Sequence, residues 1–167
     1  MFAIHGVCYA VSVLMESYTN GLHTFTVNRL SKVRGVTGKY KSHLWIIKRY
    51  GSLVLLLVAV SIMPSLFLLH GSVPFASCIP FVFVYCLHTV SLVMYETSGA
   101  CLISMQKTDI LKFDGVVGIA IRIPAVLLLY WLGLGPIGFA ISTILDLAGR
   151  GLYNEIRLHS VVSSSVK

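Results

Sequence analysis

The sequence predicts an all-α membrane protein, a polytopic bundle of about five transmembrane helices. Three observations lead there. Of 167 residues, 56% are hydrophobic and only 11% charged, with a mean hydropathy of +0.86. A soluble domain carries about 25% charged residues, so this chain lacks the polar surface to coat a core in water. The apolar residues gather in runs of membrane-spanning length, and twelve of the thirteen Lys and Arg residues, set against six Asp and Glu, fall in every other segment flanking those runs, which puts them on one side. In a soluble protein the net charge of +7 would suggest nucleic acid; here it reads as a topology signal.

The first span is expected over about 5–27. Met1 to Met15 is apolar but short of the roughly 20 residues that cross a ~30 Å hydrocarbon core, so a crossing helix runs on through Glu16 to about Thr26. The alternative is an interfacial helix that never crosses. The segment has no basic leader and no clear cleavage site, which argues against a removable signal peptide. Next comes a basic loop, 29–49, holding Arg29, Lys32, Arg34, Lys39, Lys41, Lys48 and Arg49 and no acid; the positive-inside rule makes it cytoplasmic.

From Tyr50 to Tyr95 the chain carries no charge, long enough for two spans, and His70-Gly71-Ser72-Val73-Pro74 supplies the turn between them. This gives spans over 50–70 and 74–97. After a polar stretch from Lys107 to Asp114, a fourth span is expected over 115–133, broken by Gly133-Leu134-Gly135-Pro136, and a fifth over 136–152. The tail, 158–167, is then cytoplasmic, as is the C-terminus. Threaded this way, every basic residue except Arg122 lies on one side and both opposite turns carry none. The expected location is a multi-pass position in a cytoplasmic (inner or plasma) membrane. An N-terminus on the outer side carries the further expectation of a helix preceding this sequence.

Candidate functional residues are the charges that the topology does not use. Arg122 lies eight residues beyond Asp114, about 12 Å along a helix at 1.5 Å per residue. It is either a snorkelling, helix-positioning arginine or one facing an internal cavity or a carboxylate. Pro124, two residues on, removes a backbone donor and permits a bend. Glu16 sits among Ser17, Tyr18, Thr19, Asn20, His23 and Thr24, polar groups that suit a wet ion pathway. Glu96 is a weaker pathway candidate near the cytoplasmic end of its span; His88 lies about 80° from it round the axis. Asp146 and Arg150, at i,i+4 with the acid first, read as a structural ion pair.

Several classes are disfavoured. Cys8, Cys78, Cys86 and Cys101 form no CxxC pair, the six histidines show no metal-ligand spacing, and no metal site is expected. Gly35-Val36-Thr37-Gly38-Lys39 lacks the spacing and the following Ser/Thr of a phosphate loop. No nucleophile, acid and base stand at catalytic spacing, so an enzyme is not expected. The basic segment with Tyr40, Trp45 and Tyr50 favours anionic lipid over nucleic acid because it lies between two spans.

The order of these features resembles half of a multidrug and toxic compound extrusion (MATE) transporter, within the wider multidrug/oligosaccharidyl-lipid/polysaccharide flippase superfamily. The resemblance rests on Gly21 to Ser31 with the basic loop through Gly35 and Gly38, on Ser98-Gly99-Ala100 before Gln106 to Asp109, on Arg122-Ile123-Pro124, and on Gly133 to Ala140. It implies helices two to six of one lobe, with a first helix and a second lobe absent from this sequence. Family members exchange cationic or drug-like compounds for Na⁺ or H⁺ across a central cavity between two lobes. Glu16 falls at a helix-two-like position, where the resemblance suggests cation coupling. The function implied is secondary efflux by antiport, with no cofactor beyond a coupling Na⁺ or H⁺. Expected partners are the bilayer, a small-molecule substrate and a second lobe or second copy. Alternatives are a lipid-linked oligosaccharide flippase, whose anionic substrate would suit Arg122, and a non-transporting remnant or partner-dependent subunit. Small-residue pairs Ala100/Ser104 and Gly138/Ser142 would permit close helix packing.

Overall fold

The computed structural model describes residues 2–69 and 79–165; over 2–12, 14–16, 52, 54–59, 61–69, 81–82 and 136 it describes the backbone alone. Five helices follow one another: α1 (Phe2–Ser31), α2 (Val36–Leu69), α3 (Ile79–Ser104), α4 (Thr108–Trp131) and α5 (Gly135–Ser165). Among the described residues there is no strand. The turn expected at His70 to Pro74 and Cys78 lie outside them.

Several boundaries differ from the sequence reading; α3, for one, runs on to Ser104, past the expected end at 97. The basic segment 29–49 is not an extended loop: α1 ends at Ser31, residues 32–35 turn the chain, and α2 begins at Val36. Gly35 supplies the turn with a positive φ of 75° and its carbonyl accepts the Lys39 N–H at 3.1 Å. A run of Lys, Tyr, Trp and Ile without an interior Pro has no reason to leave the helical state once α2 has nucleated. The polar stretch before the fourth span is likewise helical from Thr108, with Asp109 in the first turn where the helix dipole favours an acid. The last helix continues through the expected tail to Ser165.

The short connections end their helices by defined hydrogen bonds. After α3, Gln106 takes a positive φ of 59°. The Gln106 N–H reaches the Ile103 carbonyl at 2.9 Å and the Lys107 N–H the Leu102 carbonyl at 3.0 Å, a Schellman ending. Gly133, at φ 72°, ends α4 the same way, with Gly133 N–H to Tyr130 and Leu134 N–H to Leu129.

α3 is the central helix, packing on α1, α2 and α5, while α4 leans mainly on α5. The buried positions include Leu30, Ile46, Leu102 and Leu158, but also Thr19, Thr26, Thr89, Thr97, Ser98, Ser142, Asp146 and Asn154. Most of the buried hydroxyls bond a carbonyl of their own helix: Thr26 to Leu22 at 2.7 Å, Thr97 to Val93 at 2.7 Å, Ser142 to Phe139 at 2.7 Å. Such side chains are small and self-satisfied, so neighbouring helices can approach closely. Gly151 shows the result: a Cβ there would lie 3.4 Å from the Tyr95 backbone nitrogen, so α3 and α5 pack nearly backbone to backbone.

Among the described residues, a large part of the exterior is apolar. On α4 Phe113, Val116, Ile119, Ile123, Leu127, Tyr130 and Trp131 are all exposed, a stripe repeating every three or four residues. Two helices among the described residues, Phe83–Ser104 and Thr108–Trp131, are long and apolar enough to cross a membrane.

Candidate functional site

Three helices meet around a cavity of about 230 Å³ lined by His23 from α1, Tyr95, Glu96, Gly99 and Ile103 from α3, and Leu111 and Asp114 from α4. His23 Nδ1 lies 2.8 Å from Glu96 Oε2 and 3.2 Å from the Glu96 carbonyl oxygen. A carbonyl can only accept, so Nδ1 carries the proton and donates to both. The Tyr95 hydroxyl stands beside both the Asp114 carboxylate and the Arg150 guanidinium, and the Arg150 Cζ is 5.8 Å from the Tyr95 ring centroid.

Arg150 carries the polar string onward within α5. Its Nε donates to Asp146 Oδ1 at 2.6 Å and its Nη2 to Asp146 Oδ2 at 3.1 Å, the two-pronged geometry that guanidinium and carboxylate share. The pair is pressed against α4 at Gly118, where a Cβ would collide with Arg150 Nε and Nη2 and with Asp146 Oδ1; only glycine leaves the room. Arg122 approaches from α4, its Nη1 3.9 Å from Asp146 Oδ2 and its Cζ 5.3 Å from the Phe139 ring centroid. That ion pair is long, and the Arg122 side chain is 41% exposed, so it takes part from the edge of the bundle. Pro124, two residues on and exposed, lies within α4, which continues to Trp131.

One polar string thus links α1, α3, α4 and α5: His23, Glu96, Tyr95, Asp114, Arg150, Asp146 and Arg122. It contains three carboxylates and two guanidiniums. Isolated charge in low dielectric is costly, and each carboxylate has a partner at hand: Glu96 has His23, Asp114 has the Tyr95 hydroxyl, and Asp146 has Arg150.

Of the residues singled out from sequence, Asp146, Arg150 and Arg122 come together, and Glu96 lines the same cavity as Tyr95 and Asp114. Glu16 lies on α1 among residues whose side chains fall outside the described set. The sequence reading missed His23 as the partner of Glu96, 73 residues away. It also missed Asp114, which it placed in a connecting stretch. The signal for Asp114 was its position at the mouth of an apolar run that already contained Arg122.

A second polar cluster ties the basic half of α2 to the bundle. His43 Nε2 lies 2.6 Å from Glu155 Oε1 of α5, and Lys39 Nζ donates to the Ser104 carbonyl of α3 at 2.5 Å. His43 and the adjacent Asn154 are fully buried, and His43 Nδ1 and both Asn154 amide atoms have no hydrogen-bond partner. Among the described residues no group of three His, Cys, Asp or Glu is placed to hold a metal ion.

No family model, curated protein or solved structure matches this chain. The site is therefore interpreted from its own chemistry.

Proposed function

We propose that the chain is one lobe of a multi-pass secondary transporter with the layout of a MATE lobe, moving a cationic or drug-like compound against a counterflow of H⁺ or Na⁺. The carrying observation is the set of ionisable groups gathered around and next to a cavity between helices: three carboxylates, two guanidiniums and one histidine, in a bundle whose α4 presents an exposed apolar stripe. Ionisable groups within transmembrane segments are costly and tend to mark ion and substrate paths. Glu96 and Asp114 each lie on one of the two helices with spanning length and apolarity. The exposed apolar stripe of α4 suits lipid or a second lobe, because a patch of that extent is rarely left to water on a soluble monomer.

In this reading all five helices cross the cytoplasmic (inner or plasma) membrane, the basic ends of α1 and α2 and the C-terminus face the cytoplasm, and a second lobe or second copy completes the pathway. Binding of H⁺ or Na⁺ near Glu96 and Asp114 changes the charge facing the cavity, and its loss favours the arrangement that opens the cavity.

The test uses proteoliposomes with an imposed pH or Na⁺ gradient and a cationic dye. Gradient-driven dye movement is expected, falling at least about tenfold in Glu96→Gln and in Asp114→Asn, a loss of roughly 1.4 kcal/mol or more. Dye movement that ignores both gradients, or that survives both substitutions, would overturn the proposal.

A further inference from the structure

The junction of α1 and α2 carries a surface that the transport reading does not use. On α1, Tyr18, Gly21, Leu22 and Phe25 form one stripe, three or four residues apart, and with Tyr50 of α2 they line a groove of about 280 Å³. One turn beyond Phe25 the same stripe reaches Arg29. Its Cζ lies 4.5 Å from the Trp45 ring centroid, and the Arg49 Cζ lies 5.2 Å from that centroid. Phe25 and Tyr50 meet edge to face at 5.4 Å, and Tyr50 meets Trp45 at 6.2 Å, so the aromatic lining runs unbroken from the groove to the two guanidiniums. Trp45 is 39% exposed, Phe25 40% and Tyr18 37%.

The geometry points to a binding site for one anionic phospholipid of the cytoplasmic leaflet, its phosphate headgroup at Arg29 and Arg49 and an acyl chain in the groove between α1 and α2. Charge complementarity selects the occupant. The segment 29–49 holds seven basic residues and no acid. The Arg29 guanidinium over the indole presents a planar fork of donors of the kind that matches phosphate oxygens, and Arg49 adds positive charge beside it. An aromatic-lined end next to a cationic one matches the boundary between acyl chain and headgroup, where Trp and Tyr collect. Gly21 keeps the groove open: a Cβ there would meet nothing within 4 Å. The site rests on the membrane reading but not on transport.

The experiment is native mass spectrometry of the intact protein released from nanodiscs holding equal phosphatidylglycerol and phosphatidylcholine. We expect retained phosphatidylglycerol to exceed phosphatidylcholine. At about 1 kcal/mol per basic residue near the surface, Arg29→Gln/Arg49→Gln should cut that excess about 25-fold, while Lys112→Gln leaves it intact. Gly21→Leu, which keeps every charge and suits a helix, should cut it as well by filling the groove. Inorganic phosphate at millimolar concentration should not displace the lipid. Equal retention of the two lipids, an excess surviving either groove or arginine substitution, or displacement by phosphate alone would each overturn the site. Alkaline carbonate extraction separates the two readings: protein released to the supernatant overturns the membrane reading, whereas protein held in the pellet without lipid selectivity overturns the lipid site only.

Discussion

Asp146→Asn is the sharpest perturbation of the polar string, because it removes a charge while keeping the side chain's shape. Asp146 is 4% exposed, Arg150 23% and Arg122 41%, with the Asp146–Arg150 contact at 2.6 Å. Breaking a fully buried pair by removing one partner costs about 3–5 kcal/mol, chiefly because the other charge stays buried. Here both arginines stay partly exposed, and the Asn oxygen still accepts one hydrogen bond, so the expected cost is about 2–3 kcal/mol. For a chain of this size that corresponds to a fall in Tm of roughly 4–12 °C, measured on detergent-solubilised protein. Arg150→Gln in the same background should recover at least about 1 kcal/mol, since it removes the stranded charge. Gly118→Ala reaches the same pair by sterics alone: its methyl displaces the Arg150 guanidinium from Asp146, and the variant should lose stability despite alanine's higher helix propensity. An Asp146→Asn cost below about 0.5 kcal/mol, or strict additivity in the double variant, would refute the reasoning.

Other expectations follow from contacts elsewhere in the bundle. Gly151→Ala should be tolerated within about 0.5 kcal/mol because its Cβ meets the Tyr95 backbone at ordinary contact distance, whereas Gly151→Val should cost about 1–3 kcal/mol by wedging α3 from α5, as thermal unfolding would register. Glu155→Ala leaves both His43 ring nitrogens buried without a partner and should cost about 1–3 kcal/mol; Glu155→Gln retains an acceptor and should cost less than half as much in the same assay. Cysteines introduced at Ser31 and Thr108 should react with a membrane-impermeant maleimide from the same face of sealed vesicles, and labelling from opposite faces would break the proposed topology.

Composition and run length made the helical class legible, because apolar runs and their Gly/Pro breaks depend on local chemistry. Helix ends were less legible. Charge-rich segments such as 36–49 and 108–114 read as loops when a membrane is assumed to end each helix, yet helix propensity does not stop at a headgroup. Gln106 in a left-handed conformation gave no signal, since that position more often carries Gly or Asn. Asp146 and Arg150 were visible because an i,i+4 spacing is a contact written in sequence. His23–Glu96 and His43–Glu155 join different helices, and their distances depend on packing that no local pattern encodes.

The unbroken run of α2 from its basic half into its apolar half has a mechanical meaning. Its first fourteen residues, Val36 to Arg49, form an arm about 21 Å long. A tilt of about 10° where the apolar half begins would swing the tip of that arm by about 4 Å. The arm is fastened at Lys39 to the end of α3 and at His43 to α5. Those two fastenings act as a catch: while they hold, the outer part of α2 is kept from tilting independently of the bundle, and releasing them would turn a small rotation of its apolar half into a larger stroke at its basic end.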